Sequence, residues 1–369
     1  MNPQKVEIAE NLETSLASAI ECCEHDRLFV LVDDTTQEFC WPVVSGFACL
    51  QGAELISIGA TDTHKTLESL VHVWEELGRM GGTRHTLLIN IGGGMVTDLG
   101  GFAASTFKRG INYINIPTTL LAMVDASVGG KTGINFRGLK NEIGVFNNAA
   151  TVILDTQFLR TLDQENILSG YAEMLKHGLI SNPQMLGELL AFDIEKPDFA
   201  HLQQMVADSV AVKQRIVTED PTEKGIRKAL NLGHTVGHAF ESLALQRNLS
   251  PLTIPEQSSP TRSLSHLSPL LHGYFVAFGL ICELYLSTVK TGFPTDKMRQ
   301  TVSFIREHYG RMPITCDDYP VLFELMTHDK KNTAGSINFT LLGGIGDIRI
   351  NQTATKEEIY EALDFYREA

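Results

Sequence analysis

Five short, almost uninterrupted apolar runs occur in the first 155 residues of this chain. They are Leu28–Asp34, Glu54–Gly59, Thr86–Gly92, Tyr113–Pro117 and Thr151–Asp155. Apolar runs of this kind are typical of strands that are covered on both faces, and helical patterns such as Lys65–Arg79 lie between most of them. Strand–helix alternation predicts a parallel sheet with right-handed crossovers, which binds ligands at the carboxyl ends of its strands.

The pattern changes after residue 155, where amphipathic segments follow one another. One late hairpin is predicted, Ile337–Leu342 with Asp347–Asn351, turning at Gly343 and Gly344. The predicted helices are Gln164–Ile180, Pro183–Ala191, Phe199–Val217, Lys228–Gln246, Pro269–Thr288, Thr295–Tyr309 and Lys356–Arg367. We therefore predict two domains, an α/β domain with a parallel sheet at residues 1–158 and a mainly α-helical domain at residues 159–369.

The composition excludes several classes of protein. A net charge of −14 argues against a nucleic-acid surface and against binding to anionic membranes. The start of the chain has no basic segment followed by an apolar run, so we expect no signal peptide, and no uninterrupted apolar stretch reaches membrane-spanning length. The six cysteines form no CxxC pair. Reduced thiols in a cytoplasmic protein are the simplest interpretation.

His234 and His238 lie four residues apart, so a helix would place both imidazoles on one face. Such a pair can approach one metal ion, or a metal ion and its substrate, although a lone pair is more often made of ordinary surface histidines. Gly233 and Gly237 weaken the helix and indicate that something packs closely there. Two further candidate ligands, Glu173 and His272, lie on other predicted helices.

The segment from Gly92 to Asp98, Gly-Gly-Gly-Met-Val-Thr-Asp, follows a strand and enters a helix. Glycines in this place let the backbone approach a pyrophosphate at a helix N-terminus. The spacing is not GxGxxG, and a tight turn without a ligand explains it equally well. Asp34, at a strand end, could accept hydrogen bonds from a ribose, but a helix cap is the more ordinary role for such a residue.

Basic residues recur in motifs that contain glycine or asparagine. Each would ordinarily be a solvated surface charge. Together, in an acidic protein, they predict a pocket for a small anionic ligand such as a sugar phosphate or a carboxylate. These residues are Lys108, Arg109, Lys131, Lys140, Lys176, Lys213, Arg227, Lys330 and Lys331.

Taken together, the motifs resemble those of the 3-dehydroquinate synthase family, sugar phosphate cyclases of the shikimate route. The resemblance runs from about Asp34 to Lys331. The matching motifs are Gly-Gly-Gly-x-x-x-Asp at 92–98, Pro-Thr-Thr-Leu-Leu-Ala-Met-Val-Asp at 117–125, Gly-Gly-Lys-Thr at 129–132, Lys-Asn at 140–141, Ala-Glu-x-x-Lys at 172–176, Asn-x-Gly-His-x-x-Gly-His at 231–238, His-Gly at 272–273 and Asp-Lys-Lys at 329–331.

The resemblance implies a Rossmann-like NAD-binding α/β domain, a helical metal- and substrate-binding domain, and a homodimer. It implies conversion of 3-deoxy-D-arabino-heptulosonate 7-phosphate to 3-dehydroquinate and phosphate. That reaction combines transient oxidation by NAD, phosphate elimination, reduction and an internal aldol closure. NAD would be regenerated in each turnover, so there would be no net consumption of NAD.

The resemblance also implies roles for individual residues. The metal, usually Zn²⁺ with Co²⁺ able to replace it, would be bound by Glu173, His234 and His272, and His238 would face the substrate instead. NAD would contact Asp34, Asp62, Lys65, Gly93, Gly94, Asp98, Thr118, Thr119, Asp125, Lys140 and Thr161. The anionic substrate would contact Arg109, Lys131, Asn141, Lys176, Lys213, Arg227, Asn231, His238 and either Lys330 or Lys331.

The sequence departs from the family pattern in three places. Tyr274 replaces the acid that usually follows His-Gly, Thr61-Asp62 replaces Gly-Glu, and the 248–269 segment is longer than is typical. The carboxylate that would accept a hydrogen bond from the ring of His272 is therefore missing or supplied from elsewhere. Three alternatives remain: a cyclase that makes an inosose or valiolone, a metal- and NAD-dependent polyol dehydrogenase, and a non-catalytic binding protein. Arg227, Asn231 and Lys213 favour a substrate with a carboxylate.

Overall fold

The computed structural model describes residues 4–137, 139–247, 271–327 and 337–369. The chain forms two compact units: unit 1 comprises Met1–Gly170 and Lys196–Pro221, and unit 2 comprises Tyr171–Glu195 and Thr222–Ala369. Residues 159–170 and 196–221 thus pack with unit 1, although the split predicted at residue 159 placed them in the helical domain. A side-chain hydrogen bond links the second of these segments to the start of the chain: Gln203 Nε2 donates to the carbonyl oxygen of Ala9 at 3.3 Å.

Unit 1 contains a six-stranded sheet in the order β1-β8-β5-β4-β2-β3, and every neighbouring pair is parallel. The strands are β1 (Lys5–Ile8), β2 (Arg27–Asp33), β3 (Glu54–Ile58), β4 (Thr86–Gly92), β5 (Asn112–Pro117) and β8 (Thr151–Leu154). Between β5 and β8 an antiparallel hairpin forms from β6 (Lys131–Phe136) and β7 (Leu139–Phe146). The α/β fold with a parallel sheet is confirmed; β1 and the hairpin were not predicted.

Helices lie between most of these strands, and two more follow β8. They are α1 (Leu12–Glu21), α2 (Asp34–Phe39), α3 (Trp41–Val44), α4 (Leu67–Arg79), α5 (Gly94–Thr106), α6 (Gln164–Ser181), which continues into unit 2, and α8 (Phe199–Glu219). A π-helical turn at Ala122–Ala126 follows β5, and a 3₁₀ turn at Thr156–Thr161 follows β8.

Unit 2 is mainly helical. Its helices are the end of α6, α7 (Pro183–Ala191), α9 (His234–Gln246), α10 (His272–Thr291), α11 (Thr295–Tyr309), α12 (Tyr319–Thr327) and α13 (Lys356–Glu368). The hairpin consists of β9 (Phe339–Gly344) and β10 (Asp347–Gln352). Its turn lies at Ile345 and Gly346 because Gly346, with φ +81°, provides the left-handed conformation; the turn predicted two residues earlier was wrong.

Gly233 interrupts the helix predicted at Lys228–Gln246. It has φ +81°, so a 3₁₀ turn at Ile226–Asn231 ends before it and α9 begins after it, at His234. The same glycine faces α10: a Cβ built on Gly279 would lie 1.9 Å from the carbonyl oxygen of Gly233, and one on Gly237 would lie 2.7 Å from that of Phe275. The close packing predicted from Gly233 and Gly237 is therefore the approach of the α10 backbone.

Helix α10 is long and apolar enough to cross a membrane by length and composition, with a mean hydropathy of 1.3 over its best window. However, 78% of that window is buried inside the structure. The apolar run is interrupted by Glu283, which is itself fully buried. Burial of this kind is typical of the core helix of a globular protein.

Candidate active site

Three histidine rings meet in unit 2, two from the first two turns of α9 and one from the first residue of α10. The ring centroid of His234 lies 5.4 Å from that of His238 and 5.6 Å from that of His272, and the last two are 5.7 Å apart. One ligand nitrogen from each ring lies within 4.8 Å of the other two. Imidazole nitrogens this close together suit a Zn²⁺ or Co²⁺ ion.

Glu173 brings a carboxylate to the same place from α6. Its side chain is fully buried, and its Oε1 lies 3.3 Å from Nε2 of His234. Its Oε2 forms an ion pair with the ammonium group of Lys176, which is also buried. Burial acts to raise the pKa of Glu173, but the positive charge of Lys176 and the neighbouring His234 outweigh it and hold the pKa well below its usual range. An ionised carboxylate therefore stands beside the histidines.

The hydrogen bonds of two of the histidines fix which nitrogen faces the site. Nδ1 of His234 lies 3.1 Å from the carbonyl oxygen of Leu232, and Nδ1 of His272 lies 3.0 Å from Oε2 of Glu241. Both oxygens accept hydrogen bonds, so each Nδ1 donates, and loss of a proton from Nε2 on metal binding would leave the Nε2 lone pair for the ion. Metal-binding histidines are ordinarily held in this way, so the residues present fit a metal ion.

Glu241 therefore takes the place of the acid that the sequence lacks after His-Gly. Tyr274, which stands at that position, is buried, and its ring packs against Tyr309 at 5.2 Å between centroids. Glu241 lies 31 positions before His272, and only the antiparallel packing of α9 on α10 brings the two together. No local sequence pattern points to this pair.

We expect Glu241→Ala to lower the affinity for Co²⁺ by about 10- to 100-fold, because the Nδ1 proton of His272 loses its acceptor. Glu241→Gln keeps an acceptor oxygen and should lose less. Competition between the protein and a chromophoric chelator measures both values. Glu307→Ala, an exposed change on α11, is the control and should leave the affinity unchanged. Equal affinities of Glu241→Ala and the control would contradict the assignment.

In unit 1, the turn after β4 has the geometry expected of a phosphate site. Gly93 is the N-cap of α5 and offers no side-chain cap, so the first amides of the helix face outward. The N–H of Thr118 donates to the carbonyl oxygen of Gly92 at 3.0 Å, and a Cβ built on Gly93 would lie 3.1 Å from Cγ2 of Thr119. The structure thus places three of the predicted NAD-binding residues, Gly93, Thr118 and Thr119, at one edge of the sheet.

Lys65 links two groups of predicted residues. Its buried Nζ lies 2.6 Å from Oδ2 of Asp98, predicted to contact NAD, and 2.5 Å from Oδ1 of Asn141, predicted to contact the substrate. Burial raises the pKa of Asp98, and the ammonium group of Lys65 opposes that rise. A second pair joins Lys213 on α8 to Asp125, with Nζ 2.6 Å from Oδ1.

Other predicted residues of unit 1 lie at the surface. Lys140 Nζ lies 3.4 Å from Oδ2 of Asp62, and both side chains are about half exposed. Asp34 begins α2 and its Oδ1 accepts from Ser57 Oγ at 3.4 Å. Three of the remaining residues are exposed: Arg109, which has φ +74°, Lys131 at the start of β6, and Thr161 at the end of its 3₁₀ turn. Gly94, at the start of α5, is half-buried.

Asp33 is the N-cap of α2: its Oδ1 accepts from the backbone N–H of Thr36 at 2.7 Å. The helix-cap role considered for Asp34 therefore belongs to its neighbour. Asp34 remains a predicted ribose contact.

In unit 2, Arg227 is among the largest fully buried side chains and is 2% exposed. Asn231 Nδ2 donates to Oε1 of Glu223 at 2.9 Å. Both belong to the 3₁₀ turn Ile226–Asn231 before α9; the helix predicted at Lys228–Gln246 contained Asn231 and His234 but not Arg227. Lys330, Lys331 and the 248–269 segment lie outside the described residues.

Comparison with known proteins identifies the family. The sequence profile of the N-terminal part of 3-dehydroquinate synthase matches residues 55–169, and that of the C-terminal part matches residues 170–250. A 3-dehydroquinate synthase of Parabacteroides distasonis is 51% identical over 369 residues, which cover 100% of this chain and 99% of that protein. The chain belongs to the 3-dehydroquinate synthase family. A 3-dehydroquinate synthase of Corynebacterium diphtheriae is 34% identical over 98% of this chain and 95% of its own length.

Solved structures of other sugar phosphate cyclases share the fold of this family member. The 2-epi-5-epi-valiolone synthase of Streptomyces hygroscopicus, with NAD⁺ and Zn²⁺ bound, has a TM-score of 0.81 at 25% identity, covering 99% of this chain and 97% of its own. A 2-deoxy-scyllo-inosose synthase complexed with carbaglucose-6-phosphate, NAD⁺ and Co²⁺ has a TM-score of 0.78 at 22% identity, covering 98% and 96%.

Proposed function

We propose that this chain converts 3-deoxy-D-arabino-heptulosonate 7-phosphate to 3-dehydroquinate and inorganic phosphate, using NAD and Zn²⁺ or Co²⁺. The observation that carries the proposal is the arrangement of Glu173, His234 and His272: an ionised carboxylate lies beside two imidazoles whose Nδ1 atoms are held by protein acceptors. Three protein ligands leave positions for substrate oxygens, as in catalytic metal sites. Membership of the 3-dehydroquinate synthase family supports the choice of reaction.

When bound, NAD would accept and return one hydride, and the metal ion would polarise the oxygen atom of the alcohol that is oxidised. The chain supplies binding and orientation. Glycines at the start of α5 admit the pyrophosphate to a helix N-terminus. The proposed NAD contacts are those that the resemblance implies: Asp34, Asp62, Lys65, Gly93, Gly94, Asp98, Thr118, Thr119, Asp125, Lys140 and Thr161.

Positive charges of the chain would bind the phosphate and carboxylate groups of the substrate against a net charge of −14. Three of them are buried: Lys176 beside Glu173, Lys213 beside Asp125, and Arg227 before α9. A guanidinium group can bind a phosphate or a carboxylate with two parallel hydrogen bonds, which supports a role for Arg227 in holding an anionic group. The proposed contacts are Arg109, Lys131, Asn141, Lys176, Lys213, Arg227, Asn231, His238 and Lys330 or Lys331.

The test is turnover of three sugar phosphates by the purified protein with NAD and Co²⁺. We expect phosphate release from the heptulosonate phosphate without net NADH. Absence of phosphate release from this compound would contradict the proposal. Turnover of sedoheptulose 7-phosphate or glucose 6-phosphate instead would identify a valiolone- or inosose-forming cyclase. Net NADH formation with a polyol would identify a dehydrogenase, and no turnover or metal binding at all would identify a non-catalytic protein.

We also propose a homodimer and a cytoplasmic location. All eight residues of β7 are exposed, and this strand is at the edge of a two-stranded sheet. Its apolar side chains Leu139, Ile143, Val145 and Phe146 are between 38% and 55% exposed. Apolar edge strands pair readily with a second copy, which supports a two-fold dimer through β7. Light scattering should give twice the 40.7 kDa chain mass, and a monomeric mass would contradict the proposed dimer.

The cysteines support the cytoplasmic location. Free thiols at all six cysteines are consistent with a reducing compartment.

A further inference from the structure

Helix α9 begins without a side-chain cap of its own. Its N-cap residue is Gly233, and the amides of its first turn require acceptors from another part of the chain. Glu283, in the middle of α10, provides them. Its Oε2 accepts from the N–H of Gly233 at 2.6 Å, and its Oε1 accepts from Thr235 at 3.0 Å and Val236 at 3.2 Å. The carboxylate thus reaches both sides of His234.

A fully buried carboxylate is costly, and these contacts offset the cost. Hydrogen bonds from backbone amides to a charged oxygen are among the stronger kinds, and the N-terminus of a helix favours negative charge. An apolar side chain could fill this place, but it would leave the N–H groups of Gly233, Thr235 and Val236 without the carboxylate acceptor. The glutamate does what an apolar residue cannot do: it holds the first turn of α9 in one position relative to α10.

The two helices carry the histidines of the site. His234 and His238 lie on α9, and His272 begins α10. Glu283 of α10 holds the start of α9, while Glu241 of α9 holds Nδ1 of His272 at the start of α10. Each helix therefore supplies a carboxylate to the other: Glu283 of α10 holds the helical turn that contains His234, and Glu241 of α9 holds the ring of His272.

We propose that Glu283 is a positioning residue of the metal site: by capping α9 it sets the position of His234 relative to His272. It acts through the backbone and contacts neither metal nor substrate. The inference rests on the proposed function in one respect, because His234 and His272 must bind the metal. It predicts that the affinity and the coordination geometry depend on a carboxylate at position 283, beyond any effect on stability.

The test uses Co²⁺ bound to the full chain, measured by chelator competition and by visible absorption. In Glu283→Gln, an NH₂ group replaces one acceptor oxygen and repels a backbone N–H. We expect the Co²⁺ affinity to fall by about 10- to 100-fold and the absorption spectrum to change. The matched control is Ser287→Ala, one turn further along α10. Ser287 is fully buried and its Oγ donates to the carbonyl oxygen of Glu283 at 2.6 Å. This control should lose stability but keep affinity and spectrum.

Each outcome decides a different point. If the wild-type chain binds no Co²⁺, the metal part of the proposed function fails and the inference fails with it. If wild type binds Co²⁺ and Glu283→Gln binds it equally, or if Ser287→Ala loses as much, only the inference is overturned. Should Glu283→Gln not fold, Glu283→Asp serves: it keeps the charge but shortens the reach. A weakened Co²⁺ affinity in Glu283→Asp supports the inference, and an unchanged one overturns it.

Discussion

His234→Ala is expected to abolish binding of Zn²⁺ or Co²⁺ and to lower turnover by at least about 10³-fold, since a catalytic site with two remaining ligands holds its metal poorly. His238→Ala is its matched counterpart on the same face of α9, one turn away. If His238 faces the substrate, this variant should keep its metal affinity within a few-fold while turnover falls. Metal content after dialysis, together with phosphate release, measures both effects.

The structure makes this comparison informative because all three histidine rings lie within reach of one ion. If both variants lose the metal equally, then His238 is a ligand and the role given to it by the resemblance is wrong. If His234→Ala retains full metal content, the proposed ligand set itself fails.

Gly279→Ala adds a single methyl group and should strongly destabilise the folded protein. A Cβ at this position would lie 1.9 Å from the carbonyl oxygen of Gly233, which is backbone and cannot rotate away. The two helices must separate, so we expect a loss of about 3 kcal/mol in the free energy of unfolding, together with weaker metal binding. Denaturant unfolding of the metal-free protein measures the first effect, and chelator competition the second.

Gly187→Ala provides the matched control, because Gly187 also lies within a helix, α7, and a Cβ there would meet nothing within 4 Å. Replacing an unhindered helical glycine by alanine should stabilise the protein by about 0.5–1 kcal/mol. A Gly279→Ala protein as stable as wild type would show that α9 and α10 are not held as closely as the structure has them.

Long apolar runs made the sheet predictable. The run from Thr86 to Gly92 matches β4 residue for residue, because a strand buried on both faces is nearly all apolar, here with Thr86 and Asn90 as its polar residues. By contrast, β1 has four residues, two of them charged (Lys5 and Glu7), and no such signal. The break before α9 was not predicted either. In the sequence, Gly233 indicates only a weak position within a helix, whereas in the folded chain its positive φ separates the preceding turn from α9.

The supporting groups of the site could not be predicted from the sequence. His234, His272 and Glu173 stand in motifs with chemically informative neighbours. Glu241 and Glu283 look like ordinary helical glutamates, and they gain their roles only when α9 packs on α10. That packing depends on glycine positions separated by more than forty residues, and no local pattern records such a pairing.

The Nδ1 hydrogen bonds of His234 and His272 order both side chains before a metal ion binds. Both rings are oriented by the folded chain itself, through Leu232 and Glu241. The rotational entropy of these side chains is therefore lost during folding, before any ion arrives, and metal binding need not be opposed by it again. An arriving ion then finds a preorganised site, and it stabilises the fold only by mass action, in proportion to the logarithm of its concentration over its dissociation constant.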